Sequence, residues 1–102
     1  SFGIFSPGPM RTIEVRFTGW AATNLREHTW HPSQEIVKDS AKGLTARFRL
    51  SDTREFKRWL LGYGARAVVL KPKALRDEMH EELCAACESY GGQDRKGSAC
   101  RA

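Results

Sequence analysis

Two seven-residue stretches, RTIEVRF at 11–17 and LTARFRL at 44–50, alternate polar and apolar residues without a break. Successive side chains of a β-strand point to opposite faces. Ile13, Val15 and Phe17 therefore share one face, as do Leu44, Ala46, Phe48 and Leu50. Thr12, Glu14, Arg16, Thr45, Arg47 and Arg49 take the other. Strands of this kind predict a sheet buried on one side and open on the other.

What covers the buried side can be read from the intervening sequence. TGWAATNLREH places Thr18 as a candidate N-cap, with Ala21, Ala22 and Leu25 at helical spacing, and predicts a helix over 19–28. Pro32 disfavours helix at His31, so the chain must turn and re-extend there. QEIVKD then reads as a short strand of ambiguous facing, and DSAKG as a turn. Asp52 with Glu55 has the form of a capping box. Phe56, Trp59, Leu60 and Tyr63 come next at i, i+3, i+4 and i+7, a buried helical stripe stopped by Gly62 and Gly64. ARAVVL at 65–70 predicts a buried strand, and Pro72 is expected at the first position of a last helix. Leu75, Met79, Leu83, Ala86 and Tyr90 should form one face of that helix. Strand, helix, strand, strand, helix, strand, with a helix added at the end, is the α+β, ferredoxin-like βαββαβ sandwich.

The 102 residues suffice for one domain with a modest core. Residues 1–10 contain Gly3, Pro7, Gly8 and Pro9 and predict a linker, while 91–102 predict a polar, disordered tail after a domain spanning 11–90. Phe2, Ile4 and Phe5 are unusual in a linker and are expected to pack on another surface, which makes them interface candidates. The absence of an initiator methionine suggests a piece of a longer protein. No apolar run is long enough to span a bilayer, no signal peptide is visible, and three cysteines do not make a disulfide framework. A cytoplasmic protein is expected, with no membrane partner.

Three constellations could carry chemistry. REHTWHPSQEI at 26–36 crowds His28, Trp30, His31 and Glu35 around Pro32. The proline breaks the helix that would align two histidines on a metal, so this segment is expected to turn a corner. His80, Cys84 and Cys87 lie on one helix flank, but structural zinc sites usually draw ligands from two separate segments, so no metal is expected. No nucleophile–base pair, phosphate-cradling glycine loop or paired carboxylates can be placed, so neither enzyme activity nor a cofactor is expected.

The open face of the sheet is the better candidate. Lys and Arg total 17 against 12 Asp and Glu, a net charge of +5 that favours anionic partners. In the predicted sandwich the first and third strands are central neighbours, which brings Arg16, Arg47 and Arg49 onto the uncovered side. Guanidiniums side by side would repel, and an anion or acidic groups from another chain would relieve them. A solvated charged face is the plainer alternative. Phe17 and Phe48 have the buried parity, which argues against the base-stacking sheet of RNA-recognition domains.

SFGIF, WHPSQ and FKRWLLGYGARAVVLKPKALRDEM, in this order, resemble the C-terminal extension, or WCX domain, of WYL-domain bacterial transcriptional regulators. The matching positions are Trp30, His31, Pro32, Ser33 and Gln34; Trp59, Leu60, Leu61 and Gly64; then Leu70, Pro72, Leu75 and Arg76. The resemblance covers residues 1 to about 88 and implies a ferredoxin-like module tied to dimerisation and ligand response. It also implies WYL and helix-turn-helix domains elsewhere in the same full-length protein, and homodimers. The expected function is effector sensing, with single-stranded nucleic acid or another anion as ligand, or else ligand-free homodimerisation.

Overall fold

A computed structural model describes residues 9–91. The predicted domain, 11–90, falls wholly inside that range, whereas the interface candidates Phe2, Ile4 and Phe5 and all of the expected 91–102 tail except Gly91 lie outside the described residues. Four strands, β1 (Arg11–Phe17), β2 (Glu35–Ser40), β3 (Gly43–Leu50) and β4 (Ala67–Lys71), alternate with α1 (Gly19–Glu27), α2 (Arg54–Leu61) and α3 (Lys73–Ser89). A short 3-10 turn, Gly64–Arg66, leads into β4. The sheet order is β2-β3-β1-β4 and every neighbouring pair is antiparallel. This is the ferredoxin-like arrangement with an added C-terminal helix.

The alternation in β1 and β3 becomes a division between two faces. Ile13, Val15, Phe17, Leu44, Ala46, Phe48 and Leu50 are buried, joined by Ala67 and Val69 from β4. Ala21, Ala22 and Leu25 of α1 and Phe56 and Leu60 of α2 close the same core. The β2–β3 hairpin turns on two residues, Ala41 and Lys42. A Cβ on the next residue, Gly43, would lie 3.0 Å from the Phe17 carbonyl oxygen, a crowded approach that would force the strand backbone to give. Glycine is what lets β3 start against β1.

Trp59 organises the helical layer. Its ring centroid lies 5.3–6.0 Å from those of Phe17, Trp30, Phe48, Phe56 and Tyr63, in tilted or edge-on geometry. These are the separations and angles at which aromatic quadrupoles attract. Trp20 joins through Tyr63 at 5.3 Å, and Asn24 Nδ2 donates to the Tyr63 hydroxyl at 2.9 Å. One indole thus links β1, β3, α2, the corner after α1 and, through Tyr63, α1 itself.

Three expectations need correction. The capping box does not form: α2 starts one residue later, behind Thr53, and Asp52 Oδ1 accepts the Arg54 N–H at 3.0 Å. The Arg54 guanidinium folds back onto the same carboxylate at 2.7 Å, holding the Asp52 pKa down at about 2. Pro72 occupies the N-cap of α3 rather than its first helical position, and its carbonyl accepts the Arg76 N–H. The long apolar face of α3 is only half used: Leu75 and Met79 are buried, but Leu83, Ala86 and Tyr90 are exposed. The cause is length. Seventeen helical residues run about 25 Å, whereas the five-residue strand beneath them runs only about 17 Å, so the helix overshoots the body it packs on.

This division predicts unequal costs. Trp59→Ala should lower unfolding free energy by about 3 kcal/mol, near the lower end for a buried aromatic because the ring is partly exposed. Tyr90→Ser, at a side chain 94% exposed, should change it by less than about 0.5 kcal/mol. Urea unfolding monitored by circular dichroism checks both.

Candidate ligand-binding face of the sheet

The polar residues of β1 and β3 cover the side of the sheet away from the helices, and the register sets them in rows. Thr12 faces Arg49 in the first row. Glu35, Arg47, Glu14 and Lys71 succeed one another across all four strands in the second. Lys38, Thr45, Arg16 and Val68 make the third. Successive rows stand about 7 Å apart, two residues along a strand.

The rows revise the expected electrostatics. Arg16, Arg47 and Arg49 share the face, but no guanidinium sits opposite another: their cross-strand partners in β1 and β3 are Thr45, Glu14 and Thr12. Arg47 is also already neutralised. Its Nε and Nη2 each donate to Glu14 Oε2 at 3.2 Å, and its Nη1 donates to Glu35 Oε1 at 3.3 Å. Lys71 Nζ approaches the other Glu14 oxygen at 3.9 Å. The second row is therefore an alternating ladder, minus, plus, minus, plus. Its centre is the better shielded part, since the Glu14 side chain is 16% exposed against 64% for Glu35. Arg16 and Arg49, on either side of the ladder, have no carboxylate partner among the described residues. They are unpaired cations of this face among the described residues.

Glu35 and Lys71 completed the ladder unforeseen, and Lys38 could not be placed from sequence. The reason is a pair of irregularities. The register shifts between Ile36 and Lys38, which leaves Val37 as an extra residue in β2, and again between Glu14 and Val15, which does the same for Leu70 in β4. A bulge reverses the parity of every residue beyond it, so simple alternation fails in both edge strands.

The WHPSQ segment turns the expected corner, and it also secures Arg49. Gln34 Oε1 accepts the Trp30 N–H at 2.8 Å, while its Nε2 donates to the carbonyls of His28 at 3.0 Å and Leu25 at 3.3 Å. One amide side chain thereby ties the end of α1 to the loop. Ser33 Oγ accepts the Arg49 N–H at 2.8 Å and lies 3.3 Å from the Arg49 carbonyl oxygen. β2 begins only at Glu35, so the serine hydroxyl stands in for a strand at the open edge of β3. His31 Nδ1 accepts the Ser33 N–H at 3.0 Å and sits 2.7 Å from Ser33 Oγ. Burial holds the His31 pKa below its ordinary value, in keeping with a ring nitrogen that serves as acceptor.

Elsewhere, Arg26 at the end of α1 grips Asp39 of β2 through Nε and Nη2 at 2.9–3.1 Å. That hydrogen-bonded contact lowers the Asp39 pKa and raises that of Arg26. On α3, Cys84 Sγ and His80 Nε2 are 3.6 Å apart, and Cys84 and Cys87 are half-buried. Among the described residues no three His, Cys, Asp or Glu side chains come together as a metal site. Nor is any described helix long and apolar enough to cross a membrane.

The domain is a ferredoxin-like sandwich whose helix-free face carries two arginines with no carboxylate partner among the described residues. Residues 9–86 match the WCX domain family, and the chain belongs to that family. No curated protein sequence matches it.

The corner yields two expected outcomes. Ser33→Ala should cost about 0.5–1.5 kcal/mol, the net worth of a hydrogen bond to the Arg49 backbone that water can partly replace, and should speed amide exchange at Arg49. His31 has a depressed folded pKa, so its contribution is complete above its unfolded value of about 6.5 and is lost as pH falls through the folded value. Melting temperature should therefore drop between about pH 7.5 and 5. His31→Asn, which supplies a neutral acceptor, should flatten that part of the profile.

Proposed function

We propose that this domain is the regulatory C-terminal module of a WYL-type bacterial transcriptional regulator. It works in the cytoplasm by binding rather than by chemistry. An anionic ligand, single-stranded nucleic acid among the candidates, lies on the open sheet face against Arg16 and Arg49. Bound ligand biases the orientation of helix-turn-helix and WYL domains of the same full-length protein, since a ligand shifts a conformational equilibrium only by its differential affinity for the two states. The observation that carries this reading is the pair of guanidiniums left without carboxylate partners beside a ladder that neutralises Arg47. Arg47 acts as a brace: it fixes Glu14 and Glu35 and so keeps acidic groups from folding over Arg16 and Arg49.

One observation favours a second reading, ligand-free homodimerisation. The alternating ladder is self-complementary. A second copy related by a two-fold axis would set Glu35 against Lys71 and Glu14 against Arg47.

Fluorescence anisotropy with a labelled oligothymidylate distinguishes the two. With two phosphates engaged, affinity should fall about sevenfold between about 50 and 200 mM salt, from a slope of about −0.7 per phosphate on single strands. The Arg16→Glu/Arg49→Glu double variant should abolish this binding without unfolding the protein. Arg47→Glu is the poorer test, because it would crowd three carboxylates into one row. Absence of binding at both salts, with a light-scattering mass that doubles with concentration and reverts in Lys71→Glu, would replace the ligand reading with the dimer.

A further inference from the structure

The bulge at Val37 decides where Lys38 points. Asp39, the next residue of β2, reaches Arg26 of α1 on the helical side of the sheet, and adjacent strand residues point to opposite faces. Lys38 therefore projects from the open face, opposite Thr45. Thr45 is in turn opposite Arg16. Neighbouring strands lie about 4.8 Å apart, so Lys38 and Arg16 leave the backbone about 10 Å apart with Thr45 midway. The arginine stem narrows that gap. Arg16 Cγ lies 3.7 Å from where a Gly43 Cβ would stand, so the side chain leans from β1 onto β3, over a strand position that has no side chain. Both cations are exposed, Thr45 is half-buried, and Val68 closes the row on the β4 side. Neither cation has a carboxylate partner among the described residues, because the acids of the neighbouring row, Glu14 and Glu35, are taken by Arg47 and Lys71.

We propose that Lys38, Thr45 and Arg16 form a subsite for a phosphomonoester dianion, the terminal phosphate of the ligand on this face. The inference rests on the reading of the open face as an anion-binding surface, and it gives that surface a direction. Charge decides the chemical class. A carboxylate or a phosphodiester carries a single charge, which one guanidinium satisfies. A phosphomonoester carries about −1.5 to −2 near neutral pH and offers three acceptor oxygens. Two cations and a hydroxyl donor match it in charge and in number of donating groups. At the other end of the face Arg49 stands opposite Thr12, one cation beside one hydroxyl, which suits a single charge. The two ends therefore differ. A strand with one phosphorylated end fits in one orientation, its terminal phosphate over Thr45 and its chain leading past the ladder to Arg49.

The test compares three labelled oligothymidylates of one length by fluorescence anisotropy: with a 5′-phosphate, with a 3′-phosphate, and with neither. One phosphorylated form should bind at least about fivefold tighter than the plain strand, the gain of one added charge-assisted contact. Lys38 is exposed, so Lys38→Ala should leave the fold intact, and in that variant the ratio should fall to near one. The ratio should also shrink between about pH 7.5 and 5.5, as the phosphate takes up its second proton at about pH 6. Displacement of the strand by thymidine monophosphate at equal concentration would support the same subsite with a small ester as its occupant. Equal binding of all three strands would overturn the subsite while the broader ligand reading stood. A phosphate preference that survives Lys38→Ala would overturn its location. No binding by any strand would remove the broader reading and this one with it.

Discussion

The contact of Trp59 with five other rings is the interaction on which the architecture depends. The sheet and the helices each have an apolar face, and among the described rings Trp59 is the one that meets Phe17 at the end of β1, Phe48 in β3 and Trp30 in the corner at once. The corner matters because it also contains His31 and Ser33, and Ser33 holds the backbone of Arg49. A packing contact in the helical layer is thus connected, through one loop, to a cation on the opposite face of the sheet. Loss of the indole would loosen the core and, with it, the position of Arg49.

On the open face, charge pairing decides which residues are available. Exposed ion pairs contribute little to stability, and the outer contacts with Glu35 and Lys71 should be of that kind. Their larger effect is on which cations stay unpaired. By consuming the charge of Arg47, the ladder divides a basic surface into two separated arginines, each with a threonine beside it. Two point charges about 13–14 Å apart, two rows of the sheet, suit an extended polyanion or two distinct anionic groups better than a single small ion.

The sequence made the central strands legible, and the edges much less so. In β1 and β3 alternation is unbroken because each is paired on both sides, and the face assignment of all three arginines rests on it. β2 and β4 are edge strands with one extra residue apiece, and there Lys38, Glu35 and Lys71 could not be placed by parity. The Phe56–Trp59–Leu60–Tyr63 stripe was readable because helical spacing and burial coincide. On α3 they part company, since the repeat of Leu75, Met79, Leu83 and Tyr90 continues past the end of β4 where nothing in the domain body covers it. The role of Ser33 was unreadable for a different reason: a serine that replaces a strand at a sheet edge leaves no periodic trace. Trp20, 54% exposed, and Trp30, 41% exposed, were similarly silent, as sequence alone does not tell which side of an aromatic cluster faces water.

The central claim is that ligand meets the helix-free face of the sheet at Arg16 and Arg49. Amide chemical shifts recorded during titration with oligothymidylate test it most directly, because they locate the contact as well as detect it. Perturbations should concentrate on Arg16, Thr45 and Arg49, with the helical layer unmoved. Perturbations centred instead on Trp20 and Trp30, with β1 and β3 unchanged, would contradict it and move the binding surface to the opposite side of the domain.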